Sequence, residues 1–380
     1  MSERRTTRRD TLRFGGALAA GGLLAGCSDF AGQPGENGTP TGTGSYTVNM
    51  APMGEVSFDE VPETWAAYDG GYADMAVALG QADGLTGVSY ADRYFRYVYD
   101  ELPGVSVDEE TLSAHPEVRT KEEFYALDSD VHLYDPQMLV NWFDWSEDDV
   151  EEIRTNVAPF VGNLIFRRSD DWHDYEYYTL YEAFETVAQV FQQQARYEAF
   201  RDLHDEFIAS IRDRLPPESE RPTVFLTYEG TDEPSTFSLY RLDDAGTSKK
   251  QWRDLGVTDA LAETDIDQLS STERSELDYE NLLEIDPEVV LIRGHERKSP
   301  AEFRDTVLGY MQEHPVGSEL TAVQNGRVYR GGFLNQGPIQ NLFLTERATQ
   351  QLFPDEFGAV TSDRELFDRQ RVVDIVNDDS

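Results

Sequence analysis

The sequence predicts an α/β protein of two lobes, each built on a parallel-type sheet, with one long α-helix joining them. Three observations carry this. Residues 122–135 (EEFYALDSDVHLYD) align with residues 280–293 (ENLLEIDPEVVLIR) at a constant offset of 158. In both, a short amphipathic helix ends at an aspartate, Asp128 or Asp286, and a strand of buried type follows. A second echo sets Leu79-Gly80-x-x-Asp83-x-Leu85 against Leu255-Gly256-x-x-Asp259-x-Leu261, in the same order. Between the paired segments, residues 163–215 contain neither Gly nor Pro.

Each element has a local cause. Thr120 with Glu123 makes a capping box for the first echoed helix, and Asp278 is a ready N-cap for the second. Gly80 and Gly256 sit where a helix would end in a left-handed residue before the next strand. From Thr179 onward Phe184, Val187, Phe191, Ala195, Phe200, Leu203, Phe207 and Ile211 recur at three- and four-residue steps, with one slip. Leu215-Pro216-Pro217 ends that pattern. About 35 helical residues would span about 50 Å, with one bend expected. The chain therefore divides into an N-terminal lobe (47–170), a connecting helical segment (171–216) and a C-terminal lobe with closing helices (217–380), both lobes Rossmann-like.

Ahead of the lobes, Arg8-Arg9 and an apolar run from Gly15 to Gly26 read as an export signal too short to span a bilayer. The paired arginines resemble a twin-arginine (Tat) signal, and Leu24-Ala25-Gly26-Cys27 resembles a lipobox. Residues 1–26 are thus expected to be removed and Cys27, the sole cysteine, to carry a lipid. Residues 27–46, rich in Gly, Thr and Pro, read as a flexible tether, with Asn37-Gly38-Thr39 matching a glycosylation acceptor. The expected location is the outer face of a cell membrane, with the body held there by its lipid.

Composition excludes several classes. With 73 Asp+Glu against 32 Lys+Arg the formal net charge is −41, which argues against nucleic acid as a partner. Only Lys121, Lys249, Lys250 and Lys298 are lysines; the other basic residues are arginines. Such an acid-rich, Lys-poor surface resembles those of proteins from extreme halophiles, where a Debye length of about 3 Å in molar salt makes the self-repulsion tolerable. One cysteine allows no intrachain disulfide and no CxxC metal site. No GxSxG elbow, HExxH helix or P-loop is present, so the chain reads as a binder and not an enzyme, with a tethered hydrolase as the contrasting reading.

The lipobox signal, tether, two lobes and connecting helix together resemble the substrate-binding proteins of ABC importers, most closely the group for ferric siderophores and cobalamin. Residues 75–80 (MAVALG), 282–292, 320–329 and 337–354 carry the resemblance best. It implies a ligand held between the lobes at the carboxyl ends of strands, as α/β folds generally place it. It also implies a monomer, with no cofactor, that delivers a small molecule to a membrane permease.

Strands are expected at 65–68, 85–90, 131–134 and 157–160 in the first lobe, and at 224–228, 237–240, 289–292 and 328–329 in the second. The loops beyond them hold Tyr68, Asp69, Tyr90, Arg93, Trp142, Trp145, Asn163 and Arg167 on one side. On the other are Tyr228, Arg241, Arg293, His295, Arg297, Phe333, Asn335 and Gln336. Arg293-Gly294-His295-Glu296-Arg297 brings two arginines to one strand end, suited to carboxylate or catecholate oxygens or to surface salt bridges. Trp142 and Trp145 could floor an apolar ligand or pack in the core. The six His form no local cluster, although His132 and Asp135 could meet. An iron(III)–siderophore-type chelate is the expected ligand, with cobalamin, haem or a bare metal ion as alternatives.

Overall fold

The computed structural model describes residues 44–115, 117–262, 264, 276–360 and 364–378. The signal (1–26), Cys27, Asn37 and all but the last residues of the tether lie outside the described residues.

The described chain opens with a hairpin that the sequence reading did not anticipate. Strands β1 (Tyr46–Met50) and β2 (Gly54–Phe58) pair antiparallel, burying Val48, Met50, Val56 and Phe58 at alternate positions. Tyr46 stacks on Phe58 at 5.4 Å and donates its hydroxyl to the Val190 carbonyl, fixing the hairpin to the connecting helix.

The N-terminal sheet is wholly parallel. Strands β3 (Trp65–Ala67), β4 (Leu85–Val88) and β5 (Val131–Leu133) lie in the order β4-β3-β5. The strand expected at 157–160 is reduced to a single bridge between His132 and Phe160. The second sheet is mixed. It comprises β6 (Thr223–Tyr228), β7 (Phe237–Tyr240), β8 (Thr258–Asp259), β9 (Glu276–Leu277), β10 (Val289–Arg293) and β11 (Val328–Arg330), in the order β11-β10-β6-β7-β9 with β8 also on β6. β10, β11 and β8 run parallel to their partners, while β7 and β9 are antiparallel. β10 is buried at every residue, which explains its unbroken apolar run up to Arg293.

The first echo is a structural repeat throughout; in the second the helix-ending glycine repeats, but Leu85 opens β4 whereas Leu261 follows β8. The helices Lys121–Leu127 and Tyr279–Ile285 end at Asp128 (φ 47°) and Asp286 (φ 44°), each left-handed, before β5 and β10. The capping box at Thr120 and the Asp278 cap onto Asn281 N (2.9 Å) are both formed. Gly80 and Gly256 take φ of 72° and 58°. The connector is divided into helices Leu180–Val190 and Gln194–Arg212, and the expected bend falls at Gln192, whose φ is 54°. Its buried stripe, Phe184, Val187, Phe200, Leu203, Phe207 and Ile211, belongs to an apolar cluster that also takes in Val77 and Val131 from the first lobe and Leu226 and Leu291 from the second.

A second tie joins the lobes. Asp74, on helix Gly70–Ala78, accepts hydrogen bonds from Ile339 N (2.9 Å) and Gln340 N (3.1 Å), the first amides of helix Pro338–Leu352. Tyr99 donates its hydroxyl to the same carboxylate at 2.6 Å. Full burial pushes the Asp74 carboxyl up to about 7, against the pull of these three donors.

Candidate functional site

At the carboxyl end of the N-terminal sheet, two aspartates set the loop geometry. Asp69 follows β3 and accepts from Gly71 N (2.8 Å) and Tyr72 N (3.1 Å), starting helix Gly70–Ala78. Asp135 follows β5 and accepts from Gln137 N (3.0 Å), Leu164 N (2.8 Å) and the Tyr175 hydroxyl (2.6 Å). Burial raises both carboxyls to about 6.

Between these caps Tyr68, Tyr90, Trp142, Arg93 and Arg167 come together. The Tyr68 ring lies edge-on to Tyr90 at 5.5 Å and 6.3 Å from Trp142. Guanidiniums cover the flat faces: Arg93 at 4.9 Å and Arg119 at 4.5 Å from Tyr90, and Arg167 at 4.7 Å from Trp142. Trp172 meets Trp142 edge-on at 5.5 Å. Burial drives the Tyr68 phenol well above its ordinary range, so it stays a neutral hydroxyl. The cluster offers flat aromatic faces with cationic, multiply donating forks beside them. Arg119 and Trp172 were not among the sequence candidates; each arrives on an irregular segment, Arg119 from the loop between helices Glu109–Ala114 and Lys121–Leu127 and Trp172 from the crossing between lobes.

The C-terminal lobe presents a different surface. Arg293 is the last residue of β10 and only 1% exposed. It donates to the carbonyls of Ser248 and Gly331 and lies 5.4 Å from Tyr240 and 5.3 Å from Trp252. Its Nη1 has no partner among the described residues, and burial lowers its pKa to about 10. Nearby Lys249 is 2% exposed and pairs with Asp244 at 2.6 Å. Glu296, also buried, accepts from Arg347 (2.9 Å), Gly332 N (2.9 Å) and the Tyr97 hydroxyl (2.9 Å). Arg297 points outward and reaches the Asp92 carbonyl of the other lobe. With Arg330 it lines a groove of about 650 Å³ between residues 91–97 and 296–300. The two arginines expected to crowd one strand end thus face opposite environments.

Several sequence candidates are placed elsewhere. Trp145 is packing: it is 9% exposed, edge-on to Phe124 at 5.4 Å, with its indole N–H on the Arg119 carbonyl. Arg241 is misplaced because β7 runs antiparallel to β6, which turns its carboxyl end away from the ends of β6 and β10; it bonds the Leu261 carbonyl instead. His132 and Asp135 do not meet. His132 is wedged between Phe124 and Phe160, and burial lowers its pKa to about 3. Asn163 holds the carbonyls of Ala51 and Glu176, and Phe333 stacks on Phe95 at 5.2 Å. His295 lies edge-on to Phe303; Tyr228 is 40% exposed; Asn335 is buried. Gln336 donates to the Thr247 carbonyl and to Gln251. No three His, Cys, Asp or Glu side chains converge as metal donors among the described residues.

A family profile described as "Periplasmic binding protein" matches residues 66–333, and the chain belongs to that family. It is accordingly a substrate-binding protein of the ABC-importer type, not an enzyme, and its family works outside the cytoplasm beside a membrane transporter. Solved structures agree in fold. The petrobactin-binding protein YclQ from Bacillus subtilis superposes with a TM-score of 0.57 at 14% identity, over 81% of this chain and 99% of its own. The iron-uptake substrate-binding protein PiuA from Streptococcus pneumoniae gives 0.55 at 18% identity, over 81% and 98%. Helicobacter pylori CeuE with Ni(II) bound gives 0.52 at 14%, over 83% and 91%. A search of curated proteins found no match.

Proposed function

We propose that this protein, anchored through Cys27 on the outer face of a haloarchaeal-type membrane after Tat export, captures an iron(III)–siderophore-type chelate and hands it to an ABC permease. The observation that carries the reading is the Tyr68–Tyr90–Trp142 cluster with Arg93, Arg119 and Arg167 at the carboxyl ends of parallel strands. A ferric chelate is a compact body with flat, electron-rich faces and oxygen acceptors. Aromatic faces take the former, and guanidinium forks take the latter. Petrobactin and iron uptake in the names of similar proteins support this class, while Ni(II) in another shows that the fold does not dictate the cargo. The acidic exterior does not oppose an anionic ligand, because molar salt screens it within a few ångströms and only arginines in direct contact act.

The test is a tryptophan-fluorescence titration of the mature protein in molar KCl. The panel holds a ferric hydroxamate, a ferric catecholate, cobalamin, haem and free metal ions, with absorbance controls. Saturable micromolar or tighter binding of one ferric chelate is expected. Binding of cobalamin, haem or a free ion in its place would overturn the iron–siderophore reading.

A further inference from the structure

Residues 161–179 run without helix or strand and strap the site. At one end the carbonyls of Ile165 and Phe166 accept from Thr247 N (2.8 Å) and Ser248 N (3.2 Å) of the other lobe. Gly246 must be glycine there, since a Cβ would fall 2.3 Å from the Phe166 oxygen. At the other end Tyr175 is bonded to Asp135 and the Tyr178 hydroxyl accepts from Ala51 N (3.1 Å). Between these anchors, Arg167 over Trp142 is held in a fork by Asp170, Nε to Oδ2 at 2.6 Å and Nη2 to Oδ1 at 2.5 Å. The Asp170 carboxylate makes no other hydrogen bond among the described residues, and its side chain is only 9% exposed. The same stretch carries buried polar atoms without a partner among the described residues: Arg168 Nε, Ser169 Oγ and Trp172 Nε1.

A two-toothed guanidinium fork fits one planar oxyanion at a time. We propose that Asp170 is a tethered placeholder, holding the fork of Arg167 until an oxyanion of the ligand displaces it, so that the strap selects ligands bearing carboxylate-like groups. The inference rests on the ligand site proposed above and names what that site discriminates. An oxyanion that takes the Nε–Nη2 edge must compete with a carboxylate already present in the same chain, so its apparent affinity there scales with the fraction of time the fork is open. A ligand with a neutral exterior gains nothing from displacing Asp170. Chloride accepts two converging bonds from one point, a poorer match to the fork than the two oxygens of a carboxylate, and its concentration is the same for every variant. Discrimination therefore comes from an intramolecular competitor as well as from attraction.

Trp142, under the guanidinium, is the reporter. Iron-free citrate is titrated in molar KCl into the wild type, Asp170→Asn, the neighbouring charge control Asp171→Asn, and the double variant Arg167→Ala/Asp170→Asn, each checked for folding by circular dichroism. Asp170→Asn is expected to bind citrate about threefold tighter or more. Asp171→Asn should match the wild type, and the double variant should lose the gain. Equal citrate affinity in wild type and Asp170→Asn, no citrate binding by either, or an equal gain in Asp171→Asn would each overturn the proposal. A neutral ferric hydroxamate is run beside citrate; the same gain for both also overturns it. If citrate behaves as expected while no ferric chelate binds any variant, the iron reading fails and the placeholder stands.

Discussion

The two lobes are built alike up to their strand ends and differ beyond them. Helices Lys121–Leu127 and Tyr279–Ile285 are capped by left-handed Asp128 and Asp286, then run into β5 and β10. After β3, β4 and β5 the chain presents aromatic rings partly covered by arginines, of which Arg93 is exposed. After β10 it turns inward: Arg293 and Glu296 are 1% and 4% exposed, and their partners are carbonyls, ring faces and Arg347. Shared caps with different strand ends separate two jobs. Caps specify the scaffold, while the residues at the strand ends and in the loops just beyond them decide whether a lobe offers its charge or seals it.

Sealing should be expensive to undo. In the second lobe, Glu296→Ala strips the buried Arg347 guanidinium of its carboxylate, and urea unfolding is expected to report a loss of about 3–5 kcal/mol. A loss below about 1 kcal/mol would mean that the second lobe is not ion-sealed. The first lobe carries the opposite sign. Asp69 has its carboxyl raised to about 6 from 3.8 by burial, so the folded state binds its proton more tightly than the unfolded chain does. That penalty is absent below about pH 4, grows between pH 4 and 6, and is complete above. Asp69→Asn keeps the cap, since Asn caps as well as Asp. It should therefore be more stable than wild type by about 2–3 kcal/mol at pH 7, with the difference vanishing near pH 4. A constant difference across that range would show that the carboxylate is ordinary.

For ligand binding the order of the lobes reverses. Trp142→Ala removes the face beneath Arg167 and should weaken chelate binding by about 10- to 100-fold in calorimetry. Arg297→Ala cuts an exposed clasp and should change stability by less than about 0.5 kcal/mol, with affinity nearly unchanged. If Arg297→Ala proves the more damaging, the ligand sits in the groove by Arg330 and not over the first sheet.

The sequence made the repeat legible because capping chemistry is local: Thr120, Glu123, Asp278 and the two glycines act within one turn of their own position. Most strand positions were legible for the same reason, from short apolar runs between turns; 157–160 formed only a bridge, and the two-residue strands β8 and β9 were too short to show. Register was not legible. Direction was: the eight residues between Tyr228 and Phe237 are too few for a parallel crossover, which needs about a dozen, so β7 must run against β6 and Arg241 falls at the opposite end. Tyr68, Tyr90 and Trp142 could be named from strand ends, but not their coverage by Arg119 and Trp172, which depends on where irregular segments cross. The β1–β2 hairpin was readable from the alternation of Val48, Met50, Val56 and Phe58, a period-two signal that went unused.

The scarcity of lysine has a practical consequence. Lys249 is sealed against Asp244, and Lys250 is tucked between His204 and Asp254. Lys121 keeps 32% of its side chain in solvent on the first lobe and Lys298 25% on the second. With the α-amine blocked and at alkaline pH, amine-reactive dyes would therefore mark one lysine on each lobe of the natural sequence, a built-in donor–acceptor pair through which opening and closing can be watched one molecule at a time.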